Sequence, residues 1–341
     1  MATNITFRSG LLGGVTDFCS EVALGVASAE NIVELIVLLA TYQEEGVELK
    51  PKVYLFQDIN QIIPMLPDGE KLKIGISVRD TDGLKKVLKK CAPLAKDGWV
   101  IYISELEDNK FEYGLLSGSS SPISVDLDDV ILDGDDSTKV VRLYQLAGSC
   151  VELKSNSSET INVFLNHRKS NSEPPLKYFD SLVDVIAEDV NVELLDTTKN
   201  YLSKILIEAL EESHGCIVGV SSKPTPPKFL EADGTTFESP INFVELIKKL
   251  KKNEIKESTL VNKGTLLKGM FNSDGIILFD RKGQLLGYNY FVNLPAEKGL
   301  VGGARKRAFS SLKKKVGSGL VAVFMQSQDG WTDFEGIESD D

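Results

Sequence analysis

The chain has 341 residues, which is enough for two domains because one domain commonly takes about 150 residues. Its 42% hydrophobic and 26% charged residues are typical of a globular protein rather than a disordered or fibrous one. The net charge of −12 argues against binding of extended nucleic acid through a broad basic surface, since neutralising phosphates needs clustered Lys and Arg. A local basic pocket for one small phosphorylated ligand is compatible with this charge.

Cysteine usage and the apolar runs exclude further classes of protein. The four cysteines lie far apart and the chain has only two histidines, so we expect neither a structural zinc site nor a disulfide framework. The longest apolar run, residues 32–40, contains Glu34 and is well short of the ~20 residues that span a membrane. The N-terminus lacks the pattern of a signal peptide. We therefore expect a cytoplasmic protein without membrane contact and with free thiols at Cys19, Cys91, Cys150 and Cys216.

The first half has the pattern of a mixed α/β domain. Residues 29–45 are apolar around most of a helical circumference, which predicts a buried helix with Gly46 as its C-cap. A second helix is predicted over residues 81–94, with Thr81 as the candidate N-cap. Short runs between turn-forming residues predict strands, in antiparallel meanders after an α/β start. These runs are residues 53–56, 72–78, 98–104, 110–117, 123–132, 140–146, 151–154 and 160–164.

A polar segment over residues 166–175, which ends in Pro174 and Pro175, is the predicted domain boundary. The expected domains are an N-terminal α/β domain over residues 1–170 and a second domain over residues 171–334. An acidic tail over residues 335–341 is expected to be short and frayed, with fraying from Asp333 onward.

The second domain is predicted to hold a mixed sheet flanked by helices. Strands are expected over residues 216–220, 276–279, 285–292 and 320–325, with a hairpin turn at residues 280–283. Helices are expected over residues 176–188, 197–213, 242–250 and 305–315. The basic run Lys313 to Lys315 is interpreted as a solvated helix end.

Two short segments of this domain have the residue types of an anion site. Ser273-Asp274-Gly275 by itself is typical of a turn before a strand. Gly302-Gly303-Ala304-Arg305-Lys306-Arg307 opens a helix with cations, which oppose the helix dipole at a cost of roughly a few tenths of a kcal/mol each. That placement is favourable when an anion is bound, because glycine-exposed amides, the dipole and the guanidinium groups then converge on phosphate.

In this order, the two segments resemble the diadenylate cyclase domain, which has an Asp-Gly-Ala motif opening a strand and a Gly-Thr-Arg-His-Arg motif opening a helix. The resemblance runs from Lys199 to Phe334. It includes the strand after His214-Gly215, the helix ending in Gly269-Met270-Phe271, the Leu294-Pro295 turn and the strand Leu320-Val321-Ala322-Val323-Phe324. More weakly, the first half is similar in layout to sensor modules that precede divergent cyclase domains, notably at Glu44-Glu45-Gly46 and Phe111-Glu112-Tyr113-Gly114-Leu115.

The resemblance implies a nucleotidyltransferase site in second-messenger signalling. In that family two domains face each other, and each of two ATP molecules attacks the other's α-phosphate to give cyclic di-AMP. By analogy, Asp274 is the catalytic residue, which holds Mg²⁺ or Mn²⁺ and orients the attacking hydroxyl. Arg305 and Arg307 hold the triphosphate, while Gly275 and Gly303 allow close approach of the backbone. The nucleotide-binding set is completed by Ile276, Leu294, Ala304, Lys306 and Gln328.

Several positions depart from the family pattern. Ile276 replaces an Ala, Ala304 a Thr and Lys306 a His, and Gln326-Ser327-Gln328-Asp329 stands where the family has Ser-Glu-Glu. Losing a carboxylate lowers metal affinity. Three hypotheses follow: a regulatory protein that binds ATP or a cyclic adenine dinucleotide without turnover, an active diadenylate cyclase, and a structural or interaction protein that shares only the fold. Because two domains of that family face each other, the resemblance also implies a homo-oligomer.

Overall fold

The computed structural model describes residues 10–22, 29–66, 68–133, 138–147, 150–166, 174–230, 234–292 and 303–337, and residues 3–6 by their backbone. The chain divides into two compact units. The first unit is Met1–Ser120 with Val125–Pro174, and the second is Ser121–Ser124 with Pro175–Asp341. The division falls at Pro174 and Pro175, next to residues 167–173, which lie outside the described residues. Each unit has a mixed sheet flanked by helices, which confirms the mixed α/β class.

The first unit contains an eight-stranded sheet and a small two-stranded one. Its strands are β1 (Thr3–Thr6), β2 (Gln43–Glu44), β3 (Val47–Glu48), β4 (Val53–Phe56), β5 (Glu70–Val78), β6 (Trp99–Leu106), β7 (Lys110–Ser117), β8 (Val140–Ala147), β9 (Cys150–Ser155) and β10 (Thr160–Phe164). Its helices are α1 (Leu11–Val22), α2 (Ala29–Ala40), α3 (Ile59–Ile62), α4 (Thr81–Cys91) and α5 (Leu127–Leu132). The large sheet has the order β1-β10-β9-β8-β4-β6-β7-β5, and β4 and β6 are parallel at its centre.

The alternating strand residues give this sheet two differently covered faces. Val53, Ile101 and Val141 lie in a core with the apolar faces of α1, α2 and α4. On the other face, Tyr54 and Tyr102 pack in a smaller cluster with apolar residues of α3 and α5. Successive residues of each strand therefore contribute to opposite cores, because side chains alternate between the two faces of a pleated sheet.

Three predictions for this unit are wrong in detail. The helix predicted over residues 29–45 ends at Ala40, and Glu45 and Gly46 form the turn between β2 and β3, with φ of +51° and +82°. The N-cap of α4 is Asp80, whose side chain accepts a hydrogen bond from the Gly83 N–H at 2.7 Å, rather than Thr81. The run over residues 123–132 ends in α5 instead of forming a strand, because Asp126 caps a helix there.

The second unit contains a six-stranded sheet with the order β12-β14-β13-β11-β15-β16. Its strands are β11 (Cys216–Ser221), β12 (Thr235–Asn242), β13 (Ile276–Asp280), β14 (Gln284–Tyr290), β15 (Leu320–Gln326) and β16 (Thr332–Gly336). Its helices are α6 (Phe179–Ile186), α7 (Val192–Glu212), α8 (Phe243–Lys251), α9 (Glu257–Phe271) and α10 (Ala304–Lys313). Strands β11 and β13 are parallel, and the other pairs are antiparallel.

Helices cover both faces of this sheet. Apolar residues of α6, α7, α8 and α9 form one core with Val218, Ile277 and Phe324. On the opposite face, α10 packs through Phe309 and Leu312. The expected frayed tail is wrong for Asp333 to Gly336, because these residues belong to β16, which pairs with β15. The helix predicted to reach Lys315 ends at Lys313, whose Nζ lies 2.8 Å from Glu335 Oε2.

Candidate functional site

Three loops of the second unit meet at one edge of its sheet. Strands β11 and β13 are parallel, with Ile217 opposite Ile276, so the segments that enter them lie side by side. Strand β15 runs antiparallel to β11, with Cys216 opposite Gln326, so its last residue reaches the same edge. The edge therefore gathers residues 213–215, 274–275 and 326–328, which we call the candidate edge.

Gly275 fixes the turn that presents Asp274 at the candidate edge. Its φ is +99°, and a Cβ atom built on it would lie 2.8 Å from Asn289 Cα and 2.9 Å from Tyr290 O. Both facts require glycine, because other residues rarely adopt this conformation and no room exists for a side chain. The Asp274 side chain is exposed and has no hydrogen bond or ion pair within the described residues. A carboxylate in this state is available to a ligand.

Gly215 closes the neighbouring corner between β11 and β15. Its φ is +94°, and a Cβ atom built on it would lie 2.7 Å from Gln326 O. The Ser213 hydroxyl donates a hydrogen bond to Gln326 Oε1 at 3.0 Å and accepts one from the Gly215 N–H at 3.3 Å. Gln326 is only 5% exposed, so its carboxamide stabilises this corner rather than facing a ligand.

The first turn of α10 brings its basic residues to the same edge. Arg305 lies near the buried thiol of Cys216, whose pKa burial raises to about 12 despite the opposing effects of a backbone hydrogen bond at Gln326 and of the Arg305 charge. Lys313, near the other end of α10, pairs with Glu335, which lies beside the middle of β15. Helix α10 therefore runs antiparallel to β15 and begins at the candidate edge.

The first turn of α10 carries its cations without an acidic residue beside them in the helix. Gly303 is the N-cap with φ −65° and ψ 170°, makes no side-chain cap bond, and accepts the Arg307 N–H at 3.2 Å. The first turn contains no acidic residue. Ala304, Lys306 and Arg307 are exposed and Arg305 is half-buried. Backbone N–H groups, the positive end of the helix dipole and three basic side chains are therefore concentrated in the first turn of α10.

Gln328 lies in the tight turn between β15 and β16. The Ser327 N–H donates to Trp331 O at 2.8 Å, and the Trp331 N–H donates to Ser327 Oγ at 3.1 Å, which closes the turn. Gln328 and Asp329 are exposed in it. The turn adjoins the candidate edge and presents the neutral carboxamide of Gln328 there.

The remaining predicted site residues differ in their placement. The Ile276 side chain is 2% exposed and packs in the core beneath α10 with Phe309 and Met325, so only its backbone borders the edge. Leu294 lies outside the described residues. Sequence reasoning did not single out Ser213 or Asn289, although both adjoin the turns at Gly215 and Gly275. Asn289 has a φ of +59°, which asparagine tolerates better than most residues, but the bulge that requires it depends on strand register and has no local sequence signal.

Among the described residues of the candidate edge, Asp274 has the only carboxylate side chain, and Asp329 lies in the adjoining turn. Within the described residues, no group of three or more His, Cys, Asp or Glu side chains is placed to hold a metal ion. Mg²⁺ is often held by one or two carboxylates together with substrate phosphates. Asp274 therefore fits an ion that arrives with a nucleotide rather than one bound by the protein alone.

Comparisons with known proteins identify no relative of this chain. In the part of the chain that is described, no helix combines the length and apolar character needed to cross a bilayer. The chain matches no family model, no curated protein and no solved structure.

Proposed function

We propose that the second unit is a nucleotide-binding domain of the diadenylate cyclase type, which holds ATP or a cyclic adenine dinucleotide for signalling without turning it over. The observation that carries the proposal is the exposed basic first turn of α10, which lies beside the Asp274-Gly275 turn. The phosphates would bind at Arg305, Lys306 and Arg307, and the Gly303 and Gly275 backbones would approach the ligand.

The basic residues at the start of α10 are electrostatically unfavourable by themselves. Cations at a helix N-terminus are unfavourable by roughly 0.3–1 kcal/mol each when nothing compensates them. Arg305 and Lys306 have no carboxylate partner within the described residues. A phosphate bound there would accept from backbone N–H groups and guanidinium groups together, and such charge-assisted bonds are the strong ones. A bound anion therefore turns an unfavourable helix start into a favourable one.

Binding without turnover is favoured by the groups around the phosphates. Gln328 offers no negative charge, and the Gln326 carboxamide is committed to Ser213. Bound Mg²⁺ or Mn²⁺ would neutralise phosphate charge, with Asp274 as the protein ligand that the edge presents. Fewer carboxylates at the reacting centre weaken metal positioning, which phosphoryl transfer depends on.

The test is incubation of the purified protein with ATP and Mn²⁺ or Mg²⁺, followed by mass spectrometry of the solution and of the protein-bound fraction. We expect adenine nucleotide retained on the protein and no accumulation of cyclic dinucleotide. Steady formation of cyclic di-AMP would overturn the proposal in favour of an active enzyme. Absence of any bound nucleotide at millimolar ATP would favour a structural or interaction protein.

An active diadenylate cyclase is the second candidate, and it is favoured by the exposed carboxylate of Asp274, which pairs with no described residue. In that reaction the 3′-oxygen of one ATP bonds to the α-phosphorus of the other, and pyrophosphate leaves. Two copies of the second unit would then have to face each other. This candidate predicts that Asp274→Asn abolishes product while ATP still binds.

A further inference from the structure

Strand β14 contains a bulge where it passes the Asp274-Gly275 turn. Ile276 pairs with Tyr290 and Leu278 pairs with Gly287, so two residues of β14, Tyr288 and Asn289, lie opposite the single residue between them on β13. Asn289 has a φ of +59°. Bulges of this kind bend a strand and redirect a side chain, and they are frequent next to binding sites.

The bulge and the glycine turn depend on each other. Because a Cβ on Gly275 would meet Asn289 Cα at 2.8 Å, the Asn289 backbone is the surface against which the turn is packed. A positive φ is unfavourable for most residues, and asparagine tolerates it better than others. This conformational preference alone would explain an asparagine here, and the test below separates that explanation from recognition.

The Asn289 side chain is not used by the described part of the protein. It is half-buried, and its carboxamide makes no hydrogen bond to a described residue. A carboxamide has two N–H donors and one carbonyl acceptor. Its hydrogen-bonding capacity is therefore available to a ligand, and the Asn289 backbone lies against the Asp274-Gly275 turn.

The strand order places Asn289 at a defined distance from the basic turn. Along the candidate edge the order is β14, β13, β11, β15, and Arg305 lies near Cys216 at the start of β11. Neighbouring strands are about 4.8 Å apart, so β14 lies about 10 Å from β11. This span is comparable to the separation of the phosphates of a nucleotide from its base. With phosphates at Arg305, a nucleoside that extends across β13 toward β14 would come near Asn289.

We propose that Asn289 binds the nucleoside end of the ligand and selects adenine over guanine, an inference that rests on the proposed function. A carboxamide can accept from the 6-amino group of adenine and donate to its N7. Guanine presents two acceptors at these positions, and one carboxamide cannot satisfy both equally well. Asn289 is thus a specificity-determining residue, separate from the phosphate-binding residues of α10.

The test compares three ligands on four proteins. Dissociation constants for ATP, GTP and inorganic tripolyphosphate are measured by calorimetry for wild type, Asn289→Gly, Asn289→Asp and Arg305→Gln. Asn289→Gly keeps the positive φ and removes only the carboxamide. We expect it to weaken ATP about tenfold, to leave tripolyphosphate unchanged, and to reduce the preference for ATP over GTP. Arg305→Gln should weaken all three ligands. Asn289→Asp, which keeps the shape, should weaken ATP as Asn289→Gly does.

Two results overturn the inference while leaving the proposed function in place. In the first, the Asn289→Gly protein binds ATP as wild type does, so asparagine is needed only for its backbone conformation. In the second, Asn289→Gly weakens the binding of tripolyphosphate and of ATP equally, so Asn289 shapes the whole binding pocket rather than the base site. Failure of wild type to bind any of the three ligands would overturn the proposed function, and the inference with it. A melting-temperature scan of each variant shows that the proteins compared are folded.

Discussion

Arg142 lies in a strand of the first unit and Arg305 lies at the start of a helix of the second unit, and the two guanidinium groups have different surroundings. Arg142 on β8 is 9% exposed and forms ion pairs with Asp128 and Glu152. Arg305 is half-buried at the start of α10 and has no carboxylate partner within the described residues. The first arrangement compensates its charge inside the fold, whereas the second leaves a charge that a ligand can compensate.

The electrostatics of the Arg142 cluster follow from this compensation. Burial works to lower the pKa of Arg142, but Asp128 and Glu152 outweigh it and raise that pKa. Burial works to raise the pKa of Asp128, but Lys52 and Arg142 outweigh it and lower that pKa. Each group therefore holds its partner in the charged form. Such a cluster is structural, and breaking it should cost stability rather than binding.

The largest expected effect is that of Arg142→Met, which leaves the half-buried carboxylates of Asp128 and Glu152 without the guanidinium group that joins them. Removing one member of a buried ion pair commonly costs about 3–5 kcal/mol of unfolding free energy. Urea unfolding is followed by Trp99 fluorescence in a Trp331→Phe background, because these are the two tryptophans of the chain. Lys85→Ala, which removes an exposed pair with Glu34, is the matched control and should cost under about 1 kcal/mol. Equal losses in the two variants would contradict the structural role of the cluster.

Acidification is expected to lower the free energy of unfolding by less than Arg142→Met does. The pKa of Asp128 is lowered in the folded protein, so the unfolded chain binds its proton more readily. The stabilisation is present above the unfolded value of about 3.9 and is lost as the pH falls through the folded value. The free energy of unfolding reported by Trp99 should therefore fall below about pH 4, by about 1.4 kcal/mol for each unit of pKa shift. A flat acid profile would count against the account of the cluster.

Arg142→Met provides the control for the acid profile, because Asp128 then keeps only Lys52 of its two cationic partners. The variant should lose less stability than wild type over the same acid range. Hydrogen bonds from Lys73, Tyr102 and Lys71 also lower the pKa of Glu112, although burial opposes them. That contribution is present in both proteins and cancels in the comparison.

The smallest effect concerns the corner between β11 and β15. Gln326→Met keeps the volume but removes one of two acceptors within reach of the Ser213 hydroxyl, which can still donate to Leu210 O, so we expect a loss of about 0.5–1 kcal/mol. Trp331 fluorescence in a Trp99→Phe background reports this change in the second unit. Ser311→Ala, which removes an exposed hydroxyl bond to Arg307 O on α10, is the control and should change stability less. If ATP affinity also fell by more than stability accounts for, Gln326 would belong to the binding site.

The sequence was sufficient for elements whose pattern is local. The predicted bounds of β4, β7 and β10 are confirmed, because each run is flanked by turn-forming residues. The error at residues 123–132 arose because Asp126 and the acidic first turn of α5 were not recognised as a helix start. Likewise, Glu45-Gly46 was taken as a helix end, although the same pair suits the tight turn of a hairpin.

The candidate edge was only partly accessible from the sequence. The residues Asp274-Gly275 and the basic turn of α10 are visible in the sequence, because each has unusual local chemistry. The bulge at Asn289 is not visible, since it depends on the register between β13 and β14. The commitment of Gln326 to Ser213 also depends on strand pairing between distant parts of the chain. Local sequence pattern therefore predicts which polar side chains lie at the candidate edge. The register between distant strands decides which of them form hydrogen bonds within the described residues.

The most direct measurement of the central claim is the effect of Arg305→Gln on ATP affinity and on unfolding free energy in the same protein. We predict an affinity loss of about 10- to 100-fold, because a charge-assisted bond to phosphate is lost. We predict no loss of stability, because a cation leaves a helix N-terminus. Lys228→Ala, an exposed lysine elsewhere on the second unit, should leave ATP affinity unchanged. Unchanged ATP affinity in Arg305→Gln, together with reduced stability, would contradict the account.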